Sequence, residues 1–117
     1  MSSLLRRRFA LAAFCLATSS CAGVNAPSDV TGANPITIEV IGINGARSFS
    51  PNPKSIPAVH PVIWHNGDIE THHIVLDDGS VDTGALRPGA SSAPMPIGTA
   101  GRYHCTIHPS MVGTITR

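Results

Sequence analysis

The stretch "GRYHCTIHPSMVGTI", residues 101 to 115, sets a thiol, an imidazole and a thioether at three-residue steps: Cys105, His108 and Met111. Runs that read as strands flank it, Arg102 to Cys105 and Val112 to Arg117, with Pro109 in the tight loop between them. Cys105 then closes one strand, and the loop brings His108 and Met111 back towards the same end. Thiolate, imidazole and thioether form a soft donor set, which favours copper over calcium or magnesium. A fourth donor has to come from elsewhere, and "THHIVLDDG" at residues 71 to 79 offers His72 or His73 at the start of another strand.

Working outward, the period-two pattern repeats. Ile36, Ile38 and Val40 alternate with Thr37, Glu39 and Ile41, and Asn44-Gly45 then marks a turn. Further strands are expected at Val59 to Asn66 and His72 to Leu76, with a weaker one around Ala90 to Ile97. Turn signals separate them: "NGD" at 66 to 68, "DDG" at 77 to 79, "RPG" at 87 to 89 and "GTAG" at 98 to 101. Prolines and glycines interrupt almost every window long enough for a helix, and the uninterrupted segment Asp68 to Asp78 is rich in β-branched residues. The expected class is all-β, a sandwich or barrel of about seven or eight short strands.

The chain has 117 residues, 13% charged and 42% hydrophobic, which leaves room for one small domain, expected over residues 36–117. Arg6, Arg7 and Arg8 precede the apolar run "FALAAFCLA" and the small-residue stretch "TSSCAG", the order of an export signal, expected over residues 1–22. That run is too short for a permanent membrane anchor. Cleavage after Ala22 gives a soluble product, whereas Cys21 after small residues resembles a bacterial lipoprotein site, with a lipid anchor on that cysteine and Thr18 where such sites usually have Leu. "RRRF" resembles the twin-arginine export signature and fits an ordinary signal as well. Either route leads to the periplasm. Residues 23–35, "GVNAPSDVTGANP", read as a flexible lead-in.

Without the signal, five basic residues face seven acidic ones, a balance of −2 that points away from nucleic acid. Cys15 leaves with the signal and Cys21 is removed or lipidated, so Cys105 stands alone and no disulfide framework can form. A lone thiol in an oxidising compartment is either buried and inert or bound to something.

The motifs "FSPNP" (49–53), "WHNGD" (64–68), "HHIVLDDG" (72–79), "TGALRPG" (83–89) and "GRYHCTIHPSMVGTI" (101–115) follow one another in a recognisable order and spacing. From Phe49 to Arg117 the chain resembles the plastocyanin and amicyanin branch of the cupredoxins, small blue copper proteins. The resemblance implies a Greek-key β-sandwich with a type 1 site holding one copper ion per chain. Its ligands would be His72, Cys105 and His108 near one plane and Met111 as a long axial ligand. In that family an aromatic or apolar residue lies eight positions before the first ligand His; Trp64 is eight before His72, which assigns His72 and not His73. His73 stands where the family often has an Asn that pins the ligand loop. His60-Pro61, Pro94 and Pro96 also depart from the family pattern, and their segments are expected at an edge or bulged.

What this implies for function is a monomeric carrier of single electrons, not an enzyme. It would exchange electrons with a redox partner protein, a cytochrome, oxidase or dehydrogenase, through His108. The alternative of the same fold is a protein that holds or delivers copper. Other readings of the cluster are weaker. An inert core thiol gives no reason for His and Met at +3 and +6, and a zinc site from Cys105, His108, His104 and an upstream His would have a single thiolate. No "CxxCH" run exists for a c-type haem, and a Cys-His hydrolase lacks its further parts. His104 alternates with Cys105 and should point away from the metal. His60 and His65 read as solvent-edge residues, Met95 as packing and Trp64 as a core anchor.

Overall fold

Alternating apolar residues can bury one face of a strand, and the chain uses this pattern throughout the residues that the computed structural model describes, 33–117. The expected export signal, Cys21 and most of the lead-in lie outside the described residues. In order, the strands are β1 (Ile36–Val40), β2 (Phe49–Ser50), β3 (Lys54–Ser55), β4 (Val62–Asn66), β5 (His72–Leu76), β6 (Asp82–Leu86), β7 (Gly101–Cys105) and β8 (Val112–Thr116). A 3₁₀ turn, Gly45–Arg47, follows β1 at the Asn44-Gly45 signal. The protein is an all-β sandwich of eight strands in two sheets, ordered β2-β1-β4 and β3-β8-β7-β5-β6.

The inward residues follow period two: Ile38 and Val40 on β1, Val62, Trp64 and Asn66 on β4, His72, Ile74 and Leu76 on β5, and Tyr103 and Cys105 on β7 are all buried. Trp64 anchors the core, with Tyr103 edge-on to it at 5.7 Å and to Phe49 at 4.8 Å between ring centroids. Tyr103 pairs with Gly113 across β7 and β8, and its ring occupies the space a side chain at 113 would need. Burial pushes the Tyr103 hydroxyl well above the usual phenol range.

Several details differ from the sequence expectations, the two-residue strands β2 and β3 among them. The strand expected at Val59 starts only at Val62, because Ala58 and Val59 form a turn closed by His60 N–H donating to Pro57 O. The weak strand at Ala90 to Ile97 is instead two isolated bridges to β4, Val62 with Met95 and His65 with Ser91. Pro94 and Pro96 carry no N–H to donate, and the Ser92 hydroxyl accepts the Trp64 amide at 3.0 Å in place of a ladder carbonyl. The strand β6 was not expected: its apolar residues do not alternate, and only Leu86 is buried. Gly84, at φ 66°, allows the register shift opposite His73 and Val75 that keeps β6 paired to β5.

Candidate metal centre

The parallel pairing of β1 with β4 and the antiparallel pairing of β5 with β7 bring the loops after β1, β4 and β7 to one end of the sandwich. Ile74 faces Cys105 across β5 and β7, so His72, two residues earlier on the same face, overhangs the point where the chain leaves β7. There the His72 Nδ1 lies 3.7 Å from Cys105 Sγ, His108 Nδ1 lies 3.7 Å from the same sulfur, and the two nitrogens are 3.2 Å apart. Cys105 and His72 are fully buried, while His108 is half-buried at the rim.

The loop that returns His108 is tied to the strands by its backbone. Met111 N–H donates to His108 O at 2.9 Å, and Cys105 N–H donates to Met111 O at 3.1 Å. This closes the seven-residue loop and holds the Met111 backbone against Cys105 and His108, with the Met111 side chain fully buried. His72 is oriented by a carboxylate: its Nε2 is 2.9 Å from Asp68 Oδ2. The hydrogen bond to His72, with the Ile69 amide adding to it, holds the Asp68 carboxyl below the usual carboxylate range. An ionised carboxylate only accepts, so Nε2 carries a ring hydrogen, and Nδ1 is the nitrogen turned towards the sulfur.

Whether these groups suit a metal can be judged from the spacing. Donors that each stand about 2.0–2.3 Å from one ion are themselves separated by roughly 3–4 Å, and all three separations fall in that range. One thiolate, two imidazoles and a neighbouring thioether form the donor set of blue copper, whereas structural zinc sites favour more thiolate. The geometry and the donor chemistry both fit copper.

Solved structures agree with this architecture. A reduced Cu(I) form of an amicyanin variant superimposes with a TM-score of 0.58 at 16% identity, covering 70% of this chain and 80% of that one. A purple cupredoxin from Nitrosopumilus maritimus gives 0.57 at 25% identity, covering 68% and 96%. The chain has the cupredoxin fold. A copper-containing nitrite reductase from Thermus scotoductus also matches, with a TM-score of 0.57 at 27% identity, but the cupredoxin domain spans only 21% of that enzyme. No protein-family model matches the chain, and no curated protein matches it in sequence.

The other histidines of this cupredoxin domain lie away from the cluster. His73 turns to the opposite face of β5, towards Asp82 and Thr106. His104 likewise faces outward, its Nδ1 2.7 Å from Asp77 Oδ1. His65 meets the Ser91 hydroxyl at 2.8 Å, and His60 meets Asn34 O at 3.0 Å. Met95 packs against the core. Asp68 is a neighbour of the cluster that the sequence left unmarked: it closes the "NGD" turn, and only the folded loop carries its carboxylate back to His72. Asn66 builds that loop, donating from Nδ2 to Glu70 O at 2.7 Å and Leu86 O at 2.9 Å, and accepting the Asp68 amide at 2.9 Å.

Proposed function

We propose that this protein is a type 1 copper electron carrier of the periplasm, in which His72, Cys105, His108 and Met111 would hold the ion. The convergence of His72 Nδ1, His108 Nδ1 and Cys105 Sγ carries this reading. Copper bound there would supply a one-electron couple, Cu(II)/Cu(I), with a strongly covalent thiolate bond.

This chain's own residues do the rest. Asp68 fixes the tautomer and angle of His72. The backbone bonds among Cys105, His108 and Met111 hold the loop in one shape, so the ligands need little rearrangement when the charge of the site changes. Trp64, Tyr103 and the inner faces of both sheets exclude water from the sulfur. His108 alone reaches the rim. Around that end, Ile41 and Ile43 after β1, Ile69 before β5 and Ile107 beside His108 are all at least half exposed. Such an apolar surface suits brief docking of a redox partner, a cytochrome, oxidase or dehydrogenase, against His108. The −2 balance of the chain without its signal offers little for charge-steered pairing.

Export with residues 1–22 as signal places the domain in the periplasm, free or anchored through Cys21, and mass spectrometry of the mature N-terminus distinguishes the two. The functional test is kinetic. The copper-loaded monomer should exchange electrons rapidly with a small redox protein while keeping its metal. Copper transfer to a metal-free acceptor without net redox would instead identify a copper-delivery protein. A shift of the visible spectrum on adding azide would reveal an open metal position and an enzyme.

A further inference from the structure

On the outer face of β5 a second set of polar groups meets the ligand loop, and none of them is a copper ligand. His73 Nε2 lies 2.5 Å from Asp82 Oδ1 on β6, and His73 Nδ1 lies 2.8 Å from Thr106 Oγ1. Asp82 Oδ1 also accepts the Gly84 amide at 2.8 Å, a bond that the left-handed backbone of Gly84 makes reachable. The Gly84 amide first and His73 second hold the Asp82 carboxyl below its usual range. Facing a carboxylate that only accepts, His73 donates from Nε2 to Asp82, and the same orientation turns Nδ1 to the Thr106 hydroxyl.

Thr106 is the first residue after Cys105. Its amide donates to His73 O at 2.8 Å, and the His73 amide in turn faces Cys105 Sγ at 3.5 Å. Side chain and backbone of one residue thus join the sulfur, the start of the loop and the neighbouring strand β6. Half-exposed, the ring would otherwise be free to turn about its last torsion, and only the carboxylate sets which nitrogen meets Thr106.

We propose that Asp82 is a positioning residue for the Cys105 thiolate, acting through His73 on Thr106 and so on the angle at which the chain leaves β7 for the ligand loop. This rests on the copper reading above. Asp82 and Thr106 have no hydrogen bond to each other; their influence on one another should exist only while His73 links them.

The experiment is a double-mutant cycle in the full chain, read in two ways. In the metal-free protein, Asp82→Ala should speed hydrogen exchange of the Thr106 amide about fivefold, the loss of one modest hydrogen bond. The same replacement should add nothing once His73→Ala is present. In the copper-loaded protein, Asp82→Ala and Thr106→Val should shift the thiolate-to-copper band and the reduction potential in the same direction and less than additively. His73→Asn, short of Asp82 but able to bond Thr106, should restore much of the wild-type spectrum and be indifferent to Asp82→Ala. Unchanged exchange and spectrum in Asp82→Ala, or effects that simply add to those of His73→Ala, overturn the proposal. Should Asp82→Ala fail to fold, Asp82→Ser, which can still accept the Gly84 amide but falls short of His73, reads the same coupling with and without His73→Ala. If the wild-type protein forms no copper-thiolate band, the function proposed above fails, while the exchange arm still decides the role of Asp82.

Discussion

The two ends of the sandwich are built from the same strands and hold their residues by different means. At the end that carries His72, Cys105, His108 and Met111, the groups that matter are buried or at the rim, and several of their contacts join segments far apart in sequence. Asn66 on β4 reaches Leu86 on β6, and His72 on β5 meets Cys105 on β7. At the other end the turn between β5 and β6 is exposed and mostly locally bonded. The Ser80 hydroxyl and amide donate to Asp78 Oδ1 at 2.6 and 2.9 Å, and the Thr99 hydroxyl donates to Asp78 Oδ2 at 3.0 Å. A buried donor cluster with distant supports has one shape, set by the whole fold. Exposed local bonds compete with water and set only their own turn.

Replacements should therefore grade by end. The largest effect is expected for Cys105→Ser, which should abolish the thiolate-to-copper band altogether; a retained band would place the sulfur ligand elsewhere. Next, Gly113→Ala would put a Cβ 2.1 Å from the Tyr103 ring, and that ring is fully buried between the sheets. It should lower stability by about 1–3 kcal/mol, and thermal unfolding should show a midpoint lower by roughly 4–20 °C. An unchanged midpoint would mean that Tyr103 has room to move. Asp68→Asn keeps the loop's shape but removes the carboxylate behind His72; copper affinity, measured by competition with a chelator, should fall roughly tenfold. The folded-state reduction potential should rise, because the lost negative charge favoured Cu(II).

The smallest effect belongs to the opposite end. Its bonds, the Ser80 hydroxyl foremost, hold the Asp78 carboxyl below its usual range in the folded protein. A carboxyl with a depressed folded value contributes stability above its unfolded pKa of about 3.9, and that contribution is lost as pH falls through the lower folded value. Asp78→Asn should make unfolding stability slightly less dependent on pH below about 4 and leave the copper spectrum untouched. A spectral change would show that the two ends are coupled.

The same contrast explains what the sequence discloses. Strands β1, β4, β5, β7 and β8 are legible because one face alternates into the core, and their turns carry Gly, Asn or Asp where the chain reverses. The strand β6 is not legible, since Asp82 and Gly84 are exposed, Thr83 is only half-buried, and the strand pairs through a register shift; β2 and β3, with two residues each, are too short for any period. At the site, Cys105, His108 and Met111 stand out because they share one loop, and a single partner strand then limits the fourth donor to His72 or His73. The supports are hidden: Asp68, Asp82 and Thr106 become neighbours of the histidines only through loop closure and cross-strand pairing, neither of which leaves a spacing in the chain.

Titration of the metal-free mature protein with Cu(II), followed by visible absorption and copper quantitation, tests the central claim most directly. One copper per chain should bind with an intense visible band that is kept in His73→Ala and lost in His72→Ala. Tight binding without colour, or a band that survives His72→Ala and vanishes in His73→Ala, would contradict it.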